Sequence, residues 1–321
     1  MIPLITSRLA QVPLILVAIY TVTFVLAWLI PGSAVMTDPD KIVSPEVLAA
    51  AEKRYNLDDP IVFYFDYLGG VTGVNHIRDR IAGSENPGPA LDFGPSFQYE
   101  DWTVNDIIAA SLPVSMTLGI TAIAIALFIG TSAGIAGALR PNSMLDLSTL
   151  SIALVGISLP SFVTGTVLLI VFPVFLNIGS VGSWGSPQDI ILPAFTLSLP
   201  FSAYIARLTR LGMIETLSAD YVRTARAKGC SPARIIYKHA FKNAFLPVIS
   251  YLGPALAFAM TGSFVVEKVF NVPGIGQHFV AAVLNKDLFL IMGVTLVFST
   301  TLVLLNLAVD IAYRFVDPRI D

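Results

Sequence analysis

The chain has 321 residues, 55% of them hydrophobic and 13% charged, with a formal net charge of −3. A soluble domain carries about 25% charged residues, so the composition excludes an ordinary soluble enzyme and points to a membrane protein. The one cysteine, Cys230, excludes a disulfide framework or a cysteine metal cage within the chain. His76, His239 and His278 lie far apart in sequence, so no metal-ligand pair stands out, and the basic residues form no extended nucleic-acid face.

Taken in chain order, stretches without Asp, Glu, Lys or Arg mark the spans, since a helix needs about 20 apolar residues to cross the hydrocarbon layer. The first runs from Leu9 to Thr37 behind Arg8. A secretory signal is its rival reading, but the apolar run from Leu9 to Ile30 outlasts the roughly 7–15 residues of a signal core, which favours a retained helix. The segment from Pro31 to Asp106 holds five Lys/Arg against thirteen Asp/Glu, while the rest of the chain holds fourteen against nine. The two parts carry −8 and +5, which sum to −3, and so face different surroundings. Within that polar segment, Pro45 to Tyr55 predicts a helix capped by Ser44, and Gly83 to Pro89 predicts a loop. The segment reads as a small, mostly helical extracytoplasmic insert.

Five more stretches follow: Ile107 to Leu139, Leu147 to Gln188, Ile190 to Ala206, Asn243 to Val266 and Leu288 to Val309. The second of these five predicts one helix over roughly Leu145 to Leu176, then turn chemistry from Gly179 to Pro187. Six spans put both termini on one side. Arg8, Arg140, the cluster from Arg207 to Lys242, Arg314 and Arg319 fall on that side and hold twelve of the nineteen Lys/Arg. The loop from Asn177 to Asp189 holds none. By the positive-inside rule the termini are cytoplasmic. The expected organisation is a cytoplasmic N-terminus and first span over 1–30, the insert over 31–106, and a helical core over 107–321.

No Gly-x-x-x-x-Gly-Lys-Ser/Thr loop is present to cradle ATP phosphates, so any ATP is hydrolysed by another polypeptide. Ion coupling usually leaves ionisable residues inside spans; Glu267 and Asp310 sit near span ends and read as anchors, Asp310 with Arg314 four residues on. The cytoplasmic stretch Arg207 to Lys242 carries eight Lys/Arg and His239. Within it, Asp220 suits a helix start, Arg226 and Lys228 suit the negative end, and Gly229 suits a left-handed stop. Ser231 and Pro232 then cap a second helix.

At Arg223-Thr-Ala-Arg-Ala-Lys-Gly229 the sequence resembles the membrane subunits of ATP-binding-cassette importers, specifically the B-type permease of oligopeptide and dipeptide systems. Ala225 and Gly229 match the Glu-Ala-Ala, three residues, Gly signature of that family's cytoplasmic loop, with Arg223 in the glutamate position. Further landmarks run in order: Leu57-Asp-Asp-Pro60, Asp92-Phe-Gly-Pro-Ser-Phe97, Ser111-Leu-Pro-Val-Ser115, Pro160-Ser-Phe162, His239-Ala-Phe-Lys242, Pro273-Gly-Ile-Gly-Gln277 and Asp317-Pro318. The form of Asp92 to Phe97 leans toward oligopeptides.

The resemblance implies an all-α membrane protein with six transmembrane helices in the type I importer permease fold, in the bacterial cytoplasmic (inner) membrane. It implies a C-type permease subunit as partner, two cytoplasmic ATPase subunits that hold ATP and Mg, an extracytoplasmic peptide-binding protein, a peptide substrate and surrounding membrane lipid. No nucleic acid, and no cofactor or covalent chemistry in this chain, is expected. The docking loop over about 211–246 would meet an ATPase through Asp220, Tyr221, Arg223, Thr224, Ala225, Arg226, Lys228 and Gly229. Pro273, Gly274, Gly276 and Gln277 would shape an external loop, and Ser115, Thr164, Ser198, Ser202 and Thr261 are candidates to line the path. A stand-alone channel or secondary carrier, and a non-transporting membrane sensor, are the alternatives.

Overall fold

The computed structural model describes residues 2–31, 50, 52–84, 88–99, 101–261 and 264–316. Among the described residues the architecture is helical, with one isolated bridge between Pro95 and Thr103. The helices are α1 (Ile2–Leu29), α2 (Pro60–Val71), α3 (Val74–Ile81), α4 (Val104–Leu139), α5 (Met144–Ser158), α6 (Ser161–Leu169), α7 (Ile191–Ser218), α8 (Asp220–Ala227), α9 (Pro232–Ala244), α10 (Leu246–Met260), α11 (Phe264–Phe270), α12 (Ile275–Leu284) and α13 (Leu288–Val316). A wide π turn, Ile170–Phe175, continues α6.

Among the described residues, four helical segments are long and apolar enough to cross a membrane: Ala10–Leu29 of α1, α4, α7 and Leu288–Ile311 of α13. Two bent pairs, α5 with α6 and α9 with α10, raise the number to six if each pair is one crossing. The single helix expected over Leu145 to Leu176 is therefore corrected to two, bent by 101°. The cause is Leu159-Pro160: proline has no N–H for the ladder and forces the residue before it out of the helical region, and Leu159 is extended at φ −81, ψ 127. The predicted helix from Pro45 and its Ser44 cap lie mostly outside the described residues; residues 52–54 are helical.

The chain forms two compact units, residues 1–113 with 274–301, and residues 114–273 with 302–321. In the first unit, Tyr20, Phe24 and Trp28 recur at helical spacing on α1 and meet Phe63, Tyr64 and Tyr67 of α2 at ring-centroid distances of 4.8–6.1 Å. The Asp59 carboxylate caps α2 by accepting from the N–H groups of Ile61 (2.9 Å) and Val62 (3.1 Å), with Pro60 in the first turn.

A second anchor of this unit is Asp287, fully buried just before α13. Its carboxylate accepts from Ser96 Oγ (2.7 Å) and the N–H groups of Phe97 (3.1 Å), Gln98 (3.3 Å) and Leu290 (3.1 Å). Burial pushes its pKa above the ordinary carboxylate value, opposed by these hydrogen bonds. Asp287→Ala leaves the Ser96 hydroxyl and the Phe97 N–H without their acceptor, while the Gln98 N–H keeps Ser96 Oγ (3.2 Å). At about 1–3 kcal/mol for each unsatisfied buried donor, that segment is expected to open to protease cleavage several-fold faster, and an unchanged cleavage rate would refute the anchor.

In the second unit, α4 approaches its neighbours closely because glycine lines the contact. A Cβ on Gly130 would stand 2.7 Å from the Ser202 carbonyl oxygen, on Gly134 2.6 Å from that of Ala206, and on Gly119 2.5 Å from that of Ala259. Small residues substitute here for the hydrophobic drive that lipid removes. Leu118, Ile123, Leu197, Ile205, Val248 and Phe270 fill the core around these crossings.

Candidate functional site

The helix α7 runs on past Ala206, where its uncharged stretch ends, to Ser218, carrying Arg207 and Arg210. Ala219 is extended (φ −70, ψ 150), which stops α7 and starts α8. Asp220 thus stands in the first turn of α8 rather than at its cap, where its charge favours the positive helix end. The stop is as the sequence suggested. Gly229 takes φ +77, its N–H donates to the Arg226 carbonyl (2.9 Å), and the Cys230 N–H donates to that of Ala225 (3.2 Å), the paired bonds of a Schellman ending. Ser231 occupies the next cap position with Pro232 in the first turn of α9, but its hydroxyl makes no capping bond.

The apolar side of α8 is Val222 and Ala225, both buried, and α8 packs against the Ile235–Ala240 turns of α9. Ala225, expected to meet an ATPase, thus faces inward; Ala227 and Gly229 are the exposed small positions. Tyr221, Arg223, Thr224, Arg226 and Lys228 are exposed on the other side. The Asn243 amide donates to the Tyr221 hydroxyl (3.0 Å) and the Thr224 hydroxyl to the Asp220 carbonyl (2.9 Å). The Arg223–Asp220 pair spans 3.4 Å with both side chains open to solvent, so it adds little to stability. α9 in turn lies tightly on α7: a Cβ on Gly212 would stand 2.5 Å from the Ala244 carbonyl oxygen. Met213, Ala138, Ala240 and Ala244 close the contact. The arrangement is a cationic helix exposed on one side and seated by the other on the end of a long spanning helix.

One ion pair escaped the sequence reading, which counted Arg210 only as a topology cation. Arg210 Nε and Nη2 donate to the two carboxylate oxygens of Asp146 at 2.5 and 2.7 Å, and Asp146 is 1% exposed. The Asn142 N–H donates to the same carboxylate (2.8 Å), with Asn142 at φ 61, and Ser143 Oγ accepts from the Asp146 N–H (3.3 Å). The Ser143-x-x-Asp146 spacing at the head of α5 is the local signal that could have found the carboxylate. Its partner is 64 residues away.

The expected loop Asn271 to Gln277 is shorter than its sequence suggests. Asn271 turns at φ 53, the Val272 N–H donates to the Glu267 carbonyl (2.8 Å), Pro273 is exposed, and Gly274 caps α12. Gly276 and Gln277 stand in the first turn of α12, because Ile275 onward is a continuous apolar helix once Pro273-Gly274 has ended the turn. Glu267 itself is fully buried and accepts from Ser115 Oγ at 2.7 Å.

All five path candidates belong to the second unit. Ser115, Ser198 and Ser202 are buried, and Thr164 and Thr261 are half-buried. The hydroxyls of Ser198, Thr164 and Thr261 donate to carbonyls of their own helices: Phe195 (2.7 Å), Ser161 (3.1 Å) and Ala257 (2.8 Å). The buried Ser202 hydroxyl has no hydrogen-bond partner among the described residues. Among the described residues, no group of three or more His, Cys, Asp or Glu gathers to hold a metal ion.

Residues 130–321 match the family described as binding-protein-dependent transport system inner membrane component, and residues 1–119 match that system's N-terminal membrane-component family. The chain is 41% identical over 306 residues to the dipeptide transport system permease protein DppB of Bacillus subtilis strain 168, covering 95% of this chain and 93% of that one. It is likewise 41% identical over 315 residues to the oligopeptide transport system permease protein OppB of Salmonella typhimurium strain LT2, covering 97% and 96%. Among solved structures it resembles a chain of the inward-facing MetNI methionine ABC transporter, with TM-score 0.52 and 17% identity, over 65% of this chain and 96% of that one. That likeness is one of fold.

Proposed function

This chain belongs to the family of binding-protein-dependent transport system inner membrane components, and from that premise we propose that its cargo is peptide and that α8 is the lever through which ATP drives it. It is a multi-pass membrane permease subunit of an ATP-driven importer. Its complement would be a C-type permease that supplies the other half of the path, two cytoplasmic ATPase subunits holding ATP and Mg, and an extracytoplasmic peptide-binding protein. Both termini would lie in the cytoplasm. The chain's own part would be non-catalytic.

The observation that carries the lever is the seating of α8. Its exposed face offers Tyr221, Arg223, Thr224 and Lys228 to an ATPase, while Val222 and Ala225 fix it to α9 and Gly212 lets α9 lie against α7. α7 is one continuous helix of 28 residues, about 42 Å at 1.5 Å per residue. Closure of the ATPases on ATP would displace α8, and α7 would carry the displacement into the membrane. Such coupling requires two states that ATP and the loaded binding protein favour unequally.

Reconstitution tests the assignment. With all partners, ATP and binding protein in vesicles, labelled peptide is expected to enter, and omission of any partner or of ATP is expected to stop it. Uptake by this chain alone on an ion gradient would establish a channel or secondary carrier. Peptide binding without movement would establish a sensor.

The path-lining role has its own test. Thr164→Cys and Thr261→Cys are expected to react with a small thiol reagent, Ser115→Cys and Ser198→Cys only when ATP and peptide-loaded binding protein are supplied. Labelling that never changes with state at any of these positions would remove them from the path.

A further inference from the structure

The first unit contains an apolar crevice of about 540 Å³ that the transport reading does not use. It lies between α1, α2, α4 and α13, with walls from Leu16, Tyr20, Leu68, Leu112, Val297 and Thr300. The volume is that of a small-molecule site, yet three of its four polar side chains are already hydrogen-bonded within the protein. The Tyr20 hydroxyl donates to the Tyr64 carbonyl (2.6 Å), that of Thr72 to Leu68 (2.6 Å) and that of Thr300 to Leu296 (2.8 Å). Water gains too few partners in such a space to occupy it, and an unfilled space forfeits the dispersion contacts of its walls.

Three of the four walls are helices that qualify as membrane spans, which sets the crevice against hydrocarbon, while α2 with Leu91 and Phe93 closes it from the insert. Val17 lines it and is also 45% exposed, beside Leu14 at 74% on the same helix, which makes the crevice continuous with the outer apolar surface of α1. In a bilayer, what abuts that surface is acyl chain. We infer that the crevice binds one acyl chain of a membrane phospholipid, inserted from the surrounding bilayer between α1 and α13. The site rests on the membrane spans and not on the cargo, so it stands or falls separately from peptide transport.

The experiment uses the assembled complex in vesicles of phosphatidylethanolamine and phosphatidylglycerol, containing a trace of phosphatidylethanolamine with a photoreactive diazirine in its acyl chain. After irradiation and digestion, adducts are expected on peptides carrying Leu16, Leu68 and Val297. Two filling variants from opposite walls, Leu16→Phe and Val297→Phe, are each expected to lower those adducts several-fold while labelling at Leu26 and Leu154 stays constant; the second keeps the test intact if the first does not assemble. Adducts confined to Leu14, Leu26 and Leu154, or crevice adducts unaffected by both variants, would overturn the proposal. So would a crosslinker placed at position 16 that captures the partner permease or residues 32–49 of this chain in place of lipid.

Discussion

Arg210→Ala is expected to destabilise the second unit, lowering its unfolding midpoint below that of the wild type. The variant leaves the Asp146 carboxylate, 1% exposed, without its cation. The loss is tempered because the Arg210 side chain is 17% exposed and Asp146 keeps the Asn142 N–H. A cavity cannot explain the loss, because removal of both charges, as Asp146→Leu with Arg210→Met, is expected to restore most of it. Replacing a buried ion pair with apolar groups of similar volume is often neutral, whereas stranding one charge is not. The measurement is unfolding of the solubilised complex in mixed detergent, wild type against the single and double variants. A neutral Arg210→Ala, or a double variant worse than the single, would show that the pair holds nothing.

The pair also marks the limit of what the sequence discloses. Spans, caps and stops are local: a run of apolar residues, Asp59 before Pro60, Gly229 after a cationic turn. These follow from hydropathy, backbone sterics and hydrogen bonds within a few residues: Gly229 takes its expected place, and the Asp59 cap, which the sequence reading passed over, rests on an equally local pattern. The membrane class and the importer family were legible in the same way, from composition and from the order of short motifs. The bend at Leu159-Pro160 was local too, but the apolar run concealed it, since hydropathy measures length and not direction. Asp146 with Arg210, and Asp287 with the 96–98 segment, join residues 64 and about 190 apart, and no pattern within either partner specifies the other. Ala225 shows a different failure. Alanine is equally at home on a presented face and in a tight contact, so only the packing of α8 on α9 decides between them.

Gly229 carries the prediction with the largest effect on transport. A Cβ there would meet no atom within 4 Å, so substitution brings no clash; the penalty is confined to the backbone angle of +77°. An ordinary L-residue in the left-handed region costs about 1–2 kcal/mol, asparagine less because its side chain can hydrogen-bond locally, and a β-branched residue more. The chain's own usage agrees, since four of the six non-glycine residues described at positive φ are Asn56, Asn142, Asn177 and Asn271. Peptide uptake is therefore expected to fall in the order Gly, Asn, Ala, Val at position 229. Valine should reduce it to a few per cent or less, as the final turn of α8 unwinds and Lys228 leaves its place on the exposed face. Membrane insertion and the contact of α9 with α7 should survive in all four, because neither uses the residue 229 side. An order that follows side-chain size, with Asn as damaging as Val, would mean that a partner fills the space over Gly229. Wild-type uptake and ATPase stimulation in Gly229→Val would mean that the shape of this stop plays no part in coupling.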